Sequence, residues 1–199
     1  MLLDIVEIGD PVLRRKAHKV QQVDRDIRLL AQDMLETMRD AGGVGLAAPQ
    51  VGESIRMIVV EYPEDDTVED SPKKSYTVIN PEITWRSEET SEGSEGCLSI
   101  PGYVGTVERN ESIKVKGLSV YGRPIKISAS GWLARIFQHE IDHLDGICYI
   151  DRATAIYQPS DEPEGTEEAE TAAEPAADPS AETPAEPSAE TSAEAPSEA

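Results

Sequence analysis

Apolar and polar positions along the chain fall into blocks of different period. Over residues 24–39, Ile27, Leu30, Met34, Leu35 and Met38 recur at helical spacing and predict an amphipathic helix. Asp24 stands where an N-cap belongs, and Gly42-Gly43 end the pattern. "RMIVVEY" (56–62) reads as a strand, and "SYTVINPEITW" (75–85) as a pair of strands broken at Pro81. "SIKVKGLSVYGRPIKISAS" (112–130) alternates like a hairpin that turns near Gly122-Arg123-Pro124. Between these blocks, "GGVGLAAPQVG" (42–52), "PEDDTVEDSPKK" (63–74) and "SEGSEGCLSIPG" (91–102) read as loops, and "IGDPVLRRKA" (8–17) as an extended or turn segment around Pro11. A second helix is predicted over "GWLARIFQHEIDHLDG" (131–146). Trp132, Leu133, Ile136, Phe137, Ile141 and Leu144 form a broad apolar arc on it. Gln138, Asp142 and Asp145 lie opposite, and His139 and His143 sit at one edge of the arc. "GICYI" (146–150) reads as a core strand. The elements do not alternate as βαβ units. The expected class is α+β: mixed or antiparallel sheets packed around a central C-terminal helix, plus one N-terminal amphipathic helix.

Composition divides the chain. From Gln158 onward it is almost entirely Pro, Ala, Glu, Ser and Thr, and holds 13 of the 39 acidic residues and none of the 18 basic ones. Such a segment has too little apolar surface to offset the entropy of ordering it. The expectation is a folded domain over 1–157 and an acidic, extended, disordered tail over 158–199. The folded part carries 26 acids against 18 bases, a net of −8 rather than the −21 of the whole chain. That acidity argues against nucleic-acid binding. No apolar run is long enough to span a bilayer, and the N-terminus lacks the features of a signal peptide. Cys97 and Cys148 are the only cysteines. In a chain expected in the cytoplasm they suit a metal ligand or a buried thiol better than a disulfide.

The chemistry concentrates on the second predicted helix. His139 and His143 are four residues apart and share a face, with Glu140 beside the first. A core histidine satisfied by a hydrogen bond is the common reading of one such residue. Two histidines with a glutamate near a buried arc are better explained by a metal ion and an activated water. A third ligand is needed. No histidine follows His143, and Glu162 and Glu164 belong to the tail, where holding one in place would cost ordering entropy. Cys97, in the tight polar loop "EGCLS" (95–99), is the better candidate. Cys148, in an apolar setting, fits a small buried core residue. A Cys-His-His set with one open position has the form of a catalytic site. "GGVGLAAPQVG" lacks the lysine of a phosphate-binding loop, so its glycines read as turn formers.

Three motifs in order, "GVGLAAPQ" (43–50), "EGCLS" (95–99) and "QHEIDH" (138–143), resemble the signature motifs of the peptide deformylases. "GDPVLRRKA" (9–17) is similar to that family too, and the likeness covers residues 1 to about 155. The resemblance implies an enzyme that removes the formyl group from the N-terminal formylmethionine of new polypeptides and releases formate. It implies Cys97, His139 and His143 as ligands of one iron(II) ion, with zinc, nickel or cobalt as replacements. By matched position it implies Glu140 as the catalytic carboxylate, Gln50 and the Leu98 N–H as contacts to the formyl oxygen, and Val44, Gly45 and Gly96 along the substrate backbone. It further implies a monomeric or loosely associated enzyme whose partners are N-formylmethionyl nascent peptides. Ribosome contact through the acidic tail is not carried over, because rRNA phosphates would repel it. HExxH alone also serves zinc endopeptidases, but Cys97 and the absent third histidine distinguish this chain from them. A metal-stabilised binding module would have no need of Glu140 and Gln50. Trp132 and Ile136 share the ligand face and either wall a methionine pocket or are only core; Arg109 either pairs with Glu95 and holds the cysteine loop or is a solvated surface arginine; His18 is expected at the surface. Arg135 lies near the ligand edge with no assigned role.

Overall fold

A computed structural model describes residues 1–64, 67, 68 and 70–159. The tail expected from 158 therefore lies, from 160 on, outside the described residues, and so do Glu162 and Glu164. The first helix, α1 (Arg25–Asp40), begins where expected. The Asp24 side chain accepts from the Ile27 N–H at 3.0 Å. Met34 and Met38 on its inner side are fully buried.

The 42–52 segment is not simply a loop. It contains a short strand, β1 (Gly45–Ala47), followed by a 3₁₀ turn, Ala48–Val51. Three residues, all buried, are too few to show a period. β2 (Met57–Pro63) pairs antiparallel with β1, with Gly45 opposite Val60 and Ala47 opposite Ile58. The run "MIVV" is apolar throughout because β2 is covered on both faces. Met57 and Val59 pack with Met34 and Met38 of α1, whereas Ile58 and Val60 face the other way.

The expected break at Pro81 is also corrected. β3 (Lys73–Arg86) is one 14-residue strand. The chain bulges there instead: pairing shifts between Ile79 and Glu82, and Asn80 has φ 52°. A bulge accommodates a residue with no N–H to give the ladder. Asn80 holds it by bonding Val20 through both side-chain atoms, at 2.8 and 2.9 Å.

The larger correction concerns 91–102. "SEGSEGC" is not a loop but most of β4 (Thr90–Cys97), which pairs antiparallel with β5 (Ile100–Asn110). Its alternation is real but not apolar: Ser91, Gly93, Glu95 and Cys97 point inward. The hairpin over 112–130 is present as β6 (Ser112–Leu118) and β7 (Pro124–Ser130). The second helix, α2 (Gly131–Leu144), follows, with every residue from Ala134 to Leu144 buried. "GICYI" leads into a 3₁₀ turn, Tyr149–Asp151, rather than a strand, because the Asp151 carboxylate caps the Cys148 N–H at 2.8 Å. Cys148 is fully buried, as expected. β8 (Ala155–Tyr157) then pairs with β5.

Among the described residues two sheets result, β1-β2-β3-β6-β7 and β4-β5-β8, antiparallel throughout. α1 covers one face of the larger sheet. Phe137, Ile141 and Leu144 of α2 cover the other, against Ile58, Val60, Val78 and Val115. The smaller sheet closes on the remaining side of α2, so the α+β expectation with a central C-terminal helix holds. Gln138 and Asp142, which lie opposite the apolar arc, are buried beneath that sheet. Among the described residues, no helix is long and apolar enough to cross a membrane.

Candidate active site

α2, the end of β4 and the turn after β1 meet at one place. His139 and His143 lie one turn apart on α2, and Cys97 enters from β4. The Cys97 Sγ is 3.3 Å from His143 Nε2, and the two Nε2 atoms are 3.3 Å apart. All three donor atoms lie within 4.8 Å of one another. His139 Nδ1 donates to the Glu95 carboxylate at 2.9 Å, which leaves its Nε2 lone pair facing the other two donors.

Two lone pairs and a sulfur turned on one another is a poor arrangement without a cation. The electrostatics agree. Burial opposes a charge on His139, yet hydrogen bonds to Cys97 and Glu95 and the nearby Glu140 charge raise its pKa to about 10. Burial and the neighbouring His139 cation push His143 well below its usual range. With His139 charged and His143 neutral, the two imidazoles carry one positive charge between them. One sulfur and two imidazole nitrogens suit a divalent transition ion, with a coordination position to spare. The donor set fits a metal.

Glu140 is the group that the pairing leaves out. It is buried, its Oε2 has no hydrogen-bond partner among the described residues, and burial raises its pKa to about 7. Gly45 makes room for it: a Cβ there would lie 2.3 Å from Glu140 Oε1. Gln50 is oriented from its oxygen end, which accepts from the Ala47 N–H at 2.8 Å. Its amide nitrogen then points to Ser99 Oγ at 3.2 Å and to Cys97 Sγ at 3.4 Å.

These groups border a cavity of about 390 Å³. Of the nine residues singled out from sequence, Val44, Gly45, Gln50, Gly96, Cys97, Leu98, His139 and Glu140 line it; His143 lies deeper and is fully buried. Trp132 and Ile136 are on its wall. His18 is exposed, as expected for that residue. The pairing of Arg109 with Glu95 is also present, as a two-pronged contact at 2.8 and 2.9 Å. Burial would raise the Glu95 pKa, but Arg109 and His139 hold it down to about 2.

Sequence reasoning missed the partners behind the site. Arg135 reaches Glu95 at 3.0 Å and the Val107 carbonyl at 2.7 Å, and Asp142 accepts from Arg109 at 2.5 Å and from Arg152 at 2.6 and 2.8 Å. The available signal was a charged residue three positions after His139 on a helix with no free face. Ser99 carried no signal beyond its place beside Cys97.

A family model described as polypeptide deformylase matches residues 2–158. A peptide deformylase of Thermomicrobium roseum is 48% identical over 169 residues, which cover 83% of this chain and 96% of the relative. The crystal structure of the peptide deformylase from Thermotoga maritima superposes with a TM-score of 0.70 at 41% identity, covering 78% of this chain and 99% of that one. A class I type b peptide deformylase from Acinetobacter baumannii, solved with Met-Ala-Ser bound, gives 0.70 at 39% identity over 76% and 98% of the two chains. Members of this family are metal-dependent hydrolases, in keeping with the Cys97, His139 and His143 grouping. With its helix, thiol and glutamine brought to one cavity and a match spanning nearly all its described residues, the chain belongs to the polypeptide deformylase family.

Proposed function

We propose that this site hydrolyses the N-formyl group of the formylmethionine that begins a new polypeptide, releasing formate. The observation that carries the reading is the convergence of Cys97, His139 and His143 beside an unpaired buried Glu140. Cys97, His139 and His143 would hold one divalent ion, iron(II) in the cell, with zinc, nickel or cobalt as replacements. Such an ion supplies Lewis acidity and makes a water nucleophilic near neutral pH.

The rest falls to the chain's own groups. Glu140 takes a proton from the water that adds to the formyl carbon. It delivers that proton to the amine nitrogen as the C–N bond breaks, and its pKa of about 7 suits both transfers. The Gln50 amide, fixed by Ala47, and the Leu98 N–H donate to the formyl oxygen as negative charge builds there. β1 and β4 are both edge strands of their sheets, so Val44, Gly45 and Gly96 present backbone to an extended peptide. Trp132 and Ile136 wall the methionine side chain. The Acinetobacter baumannii relative, solved with Met-Ala-Ser bound, supports a peptide that begins with Met as the ligand. The reaction belongs in the cytoplasm, where nascent chains emerge, and the catalytic domain is residues 1–157.

The test is formate release from a formyl-Met tripeptide by protein purified without oxygen, with its metal identified by elemental analysis. Glu140→Ala should keep the metal and lose nearly all turnover. Cleavage of internal peptide bonds without formate release would overturn the reading. A chain ending at residue 157 should retain turnover on short formyl peptides.

A further inference from the structure

Arg109 touches both elements that carry the ligand atoms, although it belongs to neither. From β5 its Nε and Nη2 donate to the two Glu95 oxygens, at 2.8 and 2.9 Å, and its Nη1 donates to Asp142 Oδ2 at 2.5 Å. Glu95 is two residues from Cys97 on β4. Asp142 is next to His143 on α2, and His139 itself bonds Glu95 at 2.9 Å. A helix and a strand share no backbone ladder, so side chains must set the distance between the sulfur and the two imidazoles. Arg135 adds a second tie from α2, to Glu95 at 3.0 Å and to the Ser91 carbonyl at 2.7 Å. Gly93 leaves room for it, since a Cβ there would lie 2.9 Å from the Arg135 Cζ.

The cluster is dry: Glu95, Arg109 and Arg135 are 4%, 5% and 5% exposed. Stability is a weak explanation for it, because desolvating such charges offsets much of their attraction and apolar residues of the same volume would hold the sheet as well. What a planar guanidinium gripping two carboxylates adds is direction and distance.

We propose that Arg109 is a positioning residue, a clasp that holds the Cys97 strand at the spacing from the histidine helix that one divalent ion requires. The inference rests on the reading of Cys97, His139 and His143 as metal ligands. Arg109 does not touch the reacting atoms and acts through Glu95 and Asp142.

The test uses the full chain loaded with Co²⁺, whose sulfur-to-cobalt charge-transfer band reports the Cys97 bond. Cobalt affinity is read by competition with a chelator. In Arg109→Lys, which keeps the charge but not the two-pronged grip, cobalt affinity should fall about 10- to 100-fold and the band should weaken. Asp142→Asn weakens the helix end of the clasp, together with the Arg152 contact, and should do the same to a smaller degree. Circular dichroism establishes that each variant is folded. Folded variants with wild-type affinity and an unchanged band, even at a lower melting temperature, would overturn the clasp. If Arg109→Lys does not fold, Asp142→Asn decides the matter in the same way. Absence of the band in the wild-type protein would instead overturn the ligand assignment, and the clasp with it.

Discussion

The two sides of α2 are buried by different physics. Toward the five-stranded sheet the helix presents Phe137, Ile141 and Leu144 to Ile58, Val60, Val78 and Val115, with no ion pair between them. Toward the three-stranded sheet it presents Arg135, His139 and Asp142 to Glu95 and Arg109, joined by hydrogen bonds of 2.5 to 3.0 Å. Apolar contact is non-directional and tolerates small shifts, so that side supplies stability. Charged contact specifies atom positions, so that side supplies geometry. The two buried glutamates show the same division. Glu95, gripped by two arginines and a histidine, sits at a pKa of about 2, whereas Glu140, equally buried and unpaired, sits at about 7.

The sharpest break in this comparison is Glu140→Gln. Turnover should fall about 1,000-fold with metal content unchanged, as measured by formate release. Stability at pH 8 should hold or rise, because the variant no longer buries an unpaired charge. A loss below tenfold would mean that another group moves the proton. On the apolar side, Phe137→Ala should cost about 4 kcal/mol in urea unfolding, with turnover per folded molecule unchanged. A changed turnover number would show that the two sides are not separable.

Acid sharpens the contrast. The folded-state pKa of Glu95 lies below its unfolded value of 4.5, so its contribution is complete above that pH and is lost as pH falls toward 2. The metal-free protein should lose about 3 kcal/mol across that window, and Glu95→Gln should flatten the slope. Glu140 has the opposite sign. Its raised pKa stabilises the metal-free fold at low pH, and that contribution fades as pH rises from 4.5 to about 7. The smallest expected effect lies far from both sides. Asp24→Ala removes the α1 cap and should cost about 1 kcal/mol in thermal unfolding without altering turnover.

What could be read from the chain follows the same boundary. Both helices were legible, because α1 and the apolar side of α2 bury residues at helical period against a sheet. The 112–130 hairpin was legible for the matching reason at period two. β4 was not, although its inward residues also recur every second position, because they are serine, glycine, glutamate and cysteine. A period detected through apolar residues misses a strand whose inner face meets guanidinium groups. What Asp142 meets was not legible for a related reason: a helical wheel shows only that it lies opposite the apolar arc, and not that a second sheet lies there.

The chain's own order of residues singled out the candidate atoms, since a thiol, two imidazoles four apart, a carboxylate and an amide are named by their side chains wherever they fold. It settled the local elements whose burial is apolar and periodic. The approach of the thiol strand to the imidazole helix, the pairing that separates Glu95 from Glu140 in acidity, and the two edge strands beside the cavity came from the assembled fold. Apart from Arg109 with Glu95, 14 positions apart, those depend on contacts between residues about 40 to 46 positions apart, such as Arg135 with Glu95 and Cys97 with His143, and no local period records which distant group will meet which.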